Sequence, residues 1–196
     1  MILSCLTNKK LVLASASPRR KEILGKFGIP FTIRSADLQE EKYFSIDRDL
    51  DENLSAISLE KARAVIRPGE NVIVIGADTV VVLGDEVLGK PGSRQNAEAM
   101  LRRLSGKQHQ VKTGIAVMDT FSGQVLTDVV TTDVKFKDLD STEIDWYLSD
   151  EEYKDKAGAY GIQEKAGIFI ENIKGCYYNV MGLPVNRVYE LLLEIC

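Results

Sequence analysis

Short apolar runs alternate with amphipathic stretches along this chain, and the period of the apolar positions separates strands from helices. Leu11 to Ala14 is an unbroken apolar run and predicts a short buried strand. Pro18 to Phe27 follows as a helix with Ile23, Leu24 and Phe27 on one face, closed by Gly28. Pro30 to Arg34 reads as a second strand, and the polar, acidic residues Asp37 to Asp51 as a long loop. Glu52 to Ile66 is helical, with Leu54, Ile57, Ala62 and Val65 as apolar positions and Pro68-Gly69 as the stop. Asn71 to Leu83 carries the strongest strand signal, followed by a turn at Gly84-Asp85 and a short return strand over Glu86 to Leu88. Ser93 caps a helix to Leu104. Gln108 to Met118 and Gln124 to Phe136 alternate as long antiparallel strands joined across Ser122-Gly123. Ser141 caps a helix to Leu148, Gly167 to Ile170 and Tyr177 to Val180 read as short strands, and Leu183 to Ile195 as the closing helix. This order predicts an α/β fold, a mixed sheet with helices on its faces. No repeat, low-complexity segment or linker interrupts the 196 residues, which are expected to form a single domain over 1–196.

Composition narrows the function classes. Hydrophobic residues make up 44% and charged residues 28%, the profile of a soluble globular protein. The formal net charge of −4 argues against nucleic acid as a partner but allows a local basic pocket for a small polyanion. Cys5, Cys176 and Cys196 are odd in number and lack metal-ligand spacing, so they read as free thiols in a reducing compartment. Met1 to Lys10 is too short and polar for a signal peptide, and no apolar stretch approaches the ~18 residues of a membrane helix. A cytoplasmic protein with no membrane partner is expected.

The candidate chemistry begins at Leu13-Ala14-Ser15-Ala16-Ser17-Pro18-Arg19-Arg20, which places two hydroxyls and two guanidiniums where a strand turns into a helix. A helix start carries unpaired N–H groups and partial positive charge, and with two arginines it suits a phosphate chain. An ordinary cap, with Ser17 at the N-cap and Pro18 in the first turn, explains the same residues equally well. Asp78, in Gly76-Ala77-Asp78-Thr79, interrupts an otherwise apolar run. A carboxylate is rarely buried without a partner, so Asp78 either sits at the strand's end or has a strong partner such as a metal or a lysine. Gly76 is expected to let a ligand approach the backbone. Lys90, in the turn Gly89-Lys90-Pro91-Gly92, and Lys61, on the second helix, read on their own as solvated charges. His109 is the only histidine and reads as structural. Asp155 to Gln163 is a glycine-rich loop around Tyr160, in which Gln163 offers an amide that can donate and accept, the complement of a base edge; a loop built on a core tyrosine is the equally good bland reading. Neither the Walker pattern nor the dinucleotide-binding glycine fingerprint is present.

Taken in order, these segments resemble the Maf family of nucleoside triphosphate pyrophosphatases. The resemblance rests on Leu13 to Arg20, Glu60-Lys61-Ala62-Arg63-Ala64, Gly76 to Thr79, Gly89-Lys90-Pro91, Met100 to Gly106, Asp155 to Gln163 and Val180-Met181-Gly182-Leu183-Pro184, and spans about Leu11 to Leu193. It implies a mixed, twisted sheet with flanking helices, two lobes around a deep cleft, as in the inosine triphosphate pyrophosphatases. It implies hydrolysis of a nucleoside triphosphate to the monophosphate and pyrophosphate with a divalent cation, Mg²⁺ or Mn²⁺, and it is compatible with a homodimer. The form Ala-Gly-Ala-Tyr-Gly-Ile-Gln at 157–163 is similar to the dTTP/UTP branch, which would clear these nucleotides or their modified relatives from the pool. On this resemblance Asp78 is the catalytic base, and Arg19, Thr79 and Gln163 govern substrate choice. Glu40 and Asp78 hold the metal, and Ser15, Ser17, Arg20, Lys61 and Lys90 meet the phosphates. Glu164 and Lys165 depart from the family pattern, which often has glycine after the glutamine. Two alternatives stay open: a pyrophosphatase for another base such as 7-methyl-GTP, and a non-catalytic nucleotide-binding regulator of cell division.

Overall fold

A computed structural model describes residues 9–35 and 38–195. Cys5 and Cys196, expected as free thiols, lie outside them; Cys176 is free. The elements in chain order are β1 (Lys10–Ala14), α1 (Pro18–Gly25), β2 (Phe31–Arg34), α2 (Leu50–Arg63), β3 (Val72–Leu83), β4 (Glu86–Leu88), α3 (Arg94–Leu104), β5 (Gln108–Asp119), β6 (Val125–Phe136), α4 (Ser141–Tyr147), β7 (Ile170–Lys174), α5 (Tyr177–Val180) and α6 (Val185–Glu194). Short 3-10 turns occupy Glu40–Lys42, Ala157–Ala159 and Lys165–Phe169. Seven strands form one sheet in the order β2-β1-β3-β5-β6-β7, with β4 added to β3. β1 pairs in parallel with both β2 and β3, whereas β4 and β7 are antiparallel to their partners, so the sheet is mixed as the pattern predicts.

Contacts gather the chain into two compact units. The first holds the chain up to Asp78, Thr113–Val130 and the segment from Gly182 onward. Its central strands β1 and β3 are buried and apolar on both faces. Val12, Ala14, Val72, Val74 and Ala116 pack with Ala62 and Val65 of the α2 region, while Leu11, Leu13, Ile73, Ile75 and Ile115 alternate with them and are equally buried. Asp49 caps α2 in a reciprocal box with Glu52, a start signal three residues ahead of the predicted helix. The second unit holds Thr79–Lys112 and Thr131–Met181. Its core joins Leu101 and Leu104 of α3, Val134 and Phe136 of β6, Tyr147 of α4, and Tyr160 and Phe169. No helix among the described residues is long and apolar enough to cross a membrane.

Several boundaries differ from the sequence reading. α1 ends at Gly25 with Lys26 as its cap, so Phe27 leaves the helical face and is 48% exposed. Asp140, not Ser141, caps α4, again through a reciprocal box with Glu143. Residues 167–169 belong to a 3-10 turn, and the strand starts only at Ile170, opposite Phe136 at an irregularity in the ladder. Tyr177–Val180 is one helical turn rather than a strand. Gly175 at φ +132° redirects the chain just before it, and the buried Asn179 amide donates to Val111 O and Thr132 Oγ1, which holds the turn against two strands.

Candidate active site

In the first unit the strand order β2-β1-β3 makes β1 the point where successive parallel connections diverge to opposite sides. In open parallel sheets such a divergence leaves a crevice at the carboxyl ends of the strands, where ligands bind. Three sequence-predicted segments lie there. The Ser15–Arg20 turn follows β1, and Glu40 lies in the connection after β2. Ala14 pairs with Gly76, so Asp78 stands two residues past the end of β1 on the longer β3.

The Ser15–Arg20 turn is tightly made. Ser17 caps α1 by accepting the Arg20 N–H, and Ser15 Oγ accepts the Ser17 N–H at 3.1 Å. The ordinary capping role of Ser17 therefore stands, and it coexists with an organised arginine. Arg20 Nε donates to Gly182 O at 2.7 Å and Nη1 to Ser15 Oγ at 3.4 Å. Burial holds the Arg20 guanidinium below its ordinary pKa; the charges of Asp78 and Glu40 work against that shift and the neighbouring Arg19 adds to it. Gly182 was legible in the sequence as part of Val180–Pro184, but its task, a carbonyl that fixes Arg20, was not.

Lys61 joins the two carboxylates. Its Nζ lies 2.6 Å from Asp78 Oδ1 and 2.7 Å from Glu40 Oε1. Its side chain is only 16% exposed and that of Asp78 12%, so Lys61 is not the solvated charge its helix pattern suggests. Asp78 accordingly takes the lysine option of the two partners that its apolar setting demands. The cause is Gly76. A Cβ there would stand 2.1 Å from Ser58 O and 3.0 Å from Ala62 N, so α2 lies backbone-close on β3 and its Ser58–Ala62 turn delivers Lys61 to Asp78. Gly76 thus admits a helix, where the sequence reading expected it to admit a ligand.

The remaining predicted residues lie in the second unit. Thr79 follows Asp78 directly and is half-buried, while Lys90 and Gln163 are exposed. The turn that carries Lys90 is tied to the Gln163 loop by a bond from Gly158 N–H to Gly89 O, 3.0 Å. Tyr160 is a core residue. Its ring packs edge-on against Phe136 and its hydroxyl lies 2.7 Å from His109 Nε2. His109 is buried, which pushes its pKa down to about 4, against a backbone contact at Lys107 that raises it. Glu164, the departure after Gln163, pairs with Lys156 at 2.8 Å, and Lys165 pairs with Asp150.

Among the described residues no group of three or more His, Cys, Asp or Glu side chains converges as a metal cluster. Two carboxylates do converge, Glu40 and Asp78, on the one ammonium of Lys61.

A family model described as Maf-like protein matches residues 10–195. A dTTP/UTP pyrophosphatase of Clostridium botulinum (strain Kyoto / Type A2) is 43% identical over 190 residues, 95% of this chain and 97% of its own. A protein of the same description from Clostridium acetobutylicum is 42% identical over 193 residues, 94% of this chain and 96% of its own. A third, from Desulforamulus reducens, is 43% identical over 190 residues, 94% of this chain and 95% of its own. Among solved structures, a HAM1 protein from Coxiella burnetii aligns over 95% of this chain and 99% of that one, with a TM-score of 0.48 and 13% identity.

Proposed function

The chain belongs to the Maf family, and from that premise we propose that it hydrolyses dTTP and UTP, or modified uridine and thymidine triphosphates, to the monophosphate and pyrophosphate. The observation that carries this reading is the joining of Asp78, Lys61 and Glu40 by two ion pairs beside the Ser15–Arg20 turn. Phosphoryl transfer needs positioning and charge stabilisation more than covalent chemistry from the protein. A fixed guanidinium and an ammonium supply the positive charge, and a carboxylate held by that ammonium supplies the base.

The family resemblance and the chemistry of each side chain support the following roles. Arg19, Arg20 and the N-terminal turn of α1, with Ser15 and Ser17 shaping its backbone, receive the phosphate chain. Lys61 and Lys90 neutralise further phosphate charge. Asp78 takes a proton from the attacking water. The water oxygen bonds to the α-phosphorus, the bond to the oxygen bridging α and β breaks, and pyrophosphate leaves with the electron pair. Thr79 and Gln163 contribute to the choice of base, with the Gln163 amide paired to the O4/N3 edge of a pyrimidine.

The donor set also fits a divalent cation. Glu40 and Asp78 present hard oxygen ligands, and their shared contact with the Lys61 ammonium supports the reading that the two carboxylates could hold one cation. When bound there, Mg²⁺ or Mn²⁺ would neutralise charge along the phosphate chain. The setting in keeping with this chemistry is the cytoplasmic nucleotide pool.

The decisive experiment measures pyrophosphate release from dTTP, UTP, CTP, GTP, 7-methyl-GTP and ITP with either cation. Release from dTTP and UTP supports the proposal. Release chiefly from 7-methyl-GTP or ITP keeps the chemistry and removes Gln163 from base recognition. Tight binding without release makes the protein a nucleotide-binding regulator.

A further inference from the structure

The loop 156–164 is held at several points. Gly158 N–H bonds to Gly89 O, and the next residue, Ala159, has φ +64°, a left-handed conformation that side chains disfavour. The Tyr147 hydroxyl donates to Ala159 O at 3.0 Å, and Tyr160 is anchored on His109. These contacts fix the first half of the loop. The second half turns back at Gly161–Glu164, where Glu164 N–H donates to Gly161 O at 3.2 Å. Gln163 lies within this turn.

Across the turn runs an ion pair. Lys156, whose side chain is 5% exposed, brings Nζ to 2.8 Å from Glu164 Oε2 and 3.0 Å from Asp155 Oδ1, and it also donates to Glu152 O. The pair lies directly over Gly161. A Cβ at 161 would stand 2.7 Å from Glu164 Oε2 and 2.8 Å from Lys156 Cε. The first residue of the loop is thereby joined to its last across a glycine that leaves room for the crossing. Glu164 immediately follows Gln163, so an anchor on the Glu164 side chain, together with the Glu164 N–H bond to Gly161 O, restrains the turn that carries the glutamine.

We infer that Lys156 and Glu164 are positioning residues, whose ion pair closes the 156–164 loop and fixes the Gln163 amide for base selection. What Gln163 selects rests on the dTTP/UTP reading; the clamp itself does not. Glu164 is then no free acid set against the triphosphate, because its charge is spent on a buried lysine.

The test compares wild type, Glu164→Gln and Glu164→Ala, with the charge swap Lys156→Glu/Glu164→Lys as a rescue. Amide hydrogen exchange over 157–165 is read first. Removing the acid should speed exchange at 161–165 by about ten-fold while leaving β1 unchanged. The ratio of kcat/KM for dTTP to that for CTP should fall by about five-fold, with kcat for dTTP little altered. Recovery of either quantity in the swap adds support. Unchanged exchange in both single variants overturns the clamp. Faster exchange with an unchanged ratio overturns its role in selection, as does a fall in KM shared equally by all nucleotides, the signature of a removed repulsion. If wild type hydrolyses neither dTTP nor UTP, the functional reading fails, and the exchange measurement still decides the clamp.

Discussion

Gly76 stands so close to Ser58 that a Cβ on the glycine would lie 2.1 Å from the serine carbonyl oxygen. Four residues earlier on the same helix, Leu54 O would meet a Cβ at Gly114 of β5 at 2.4 Å. α2 therefore rests on two neighbouring strands through two glycines that meet helix carbonyls one turn apart. Gly76→Ala should force the helix outward and destabilise the protein by about 1–3 kcal/mol. Because Lys61 sits in the displaced turn, turnover measured well below the melting temperature should fall too. A melting curve and a rate assay on the same sample check both effects, and an active Gly76→Ala variant with wild-type stability would contradict the packing account.

Asp78→Asn keeps the shape of the side chain and removes its capacity as a base. Turnover of dTTP should drop about 10²–10⁴-fold while nucleotide binding by calorimetry is retained. A variant that still turns over at the wild-type rate would take Asp78 out of the base role.

The Lys61 ammonium pairs with Glu40 and Asp78, the two carboxylates proposed to hold a divalent cation, so on that proposal the two cations must compete. Chelation should stop turnover, and added Mg²⁺ or Mn²⁺ should restore it. In the absence of nucleotide, Lys61→Met should bind Mn²⁺ about ten-fold more tightly than wild type, equivalent to about 1.4 kcal/mol, by electron paramagnetic resonance titration. Glu40→Gln should bind it more weakly. If neither variant alters Mn²⁺ affinity, the two carboxylates do not form the cation position.

His109 offers a stability readout. Burial pushes its pKa down to about 4 from an ordinary 6.5. The unfolded chain therefore binds the proton more readily between those values. The contribution is fully present above pH 6.5, falls as the pH drops, and is gone below about pH 4, a loss of up to about 3 kcal/mol. Urea unfolding from pH 7 to pH 4 should show this slope, and His109→Phe should flatten it. As the chain has a single histidine, its proton resonance titrates without overlap, and a midpoint near 6.5 in the folded state would refute the burial effect.

Much of this was legible in the sequence, because local signals and tertiary structure agree there. The apolar runs of β1 and β3, the Ser17 and Ser93 caps and the long hairpin over 108–136 fall where periodicity and capping chemistry place them. The exceptions trace to contacts distant in sequence. Aromatic and β-branched residues at 177–180 favour a strand, but Asn179 bonds to Val111 and Thr132, and those bonds hold one helical turn. Lys61 sits at an ordinary polar helix position, and only the approach of α2 to Gly76 reveals that it is a partner of Asp78. Tyr160 reads as easily as a platform for a base as a core ring; the His109 contact that makes it the latter spans 51 residues.

The position of β1 between two parallel neighbours also bears on how the chain is made. Its partner β2 emerges soon after it, at Phe31–Arg34, but the strand for its other edge begins only at Val72. At ribosomal speed those intervening residues take roughly 2–8 s. Throughout that interval Leu11–Ala14 can pair on one side only, and its other row of amides and carbonyls is a template for any passing strand. The helix α2, synthesised in the gap, cannot yet dock, because Gly76 and Gly114 have not left the exit tunnel. A nascent chain paused before residue 72 would thus hold β1 with one edge unpaired, and the synthesis of β3 would close that edge.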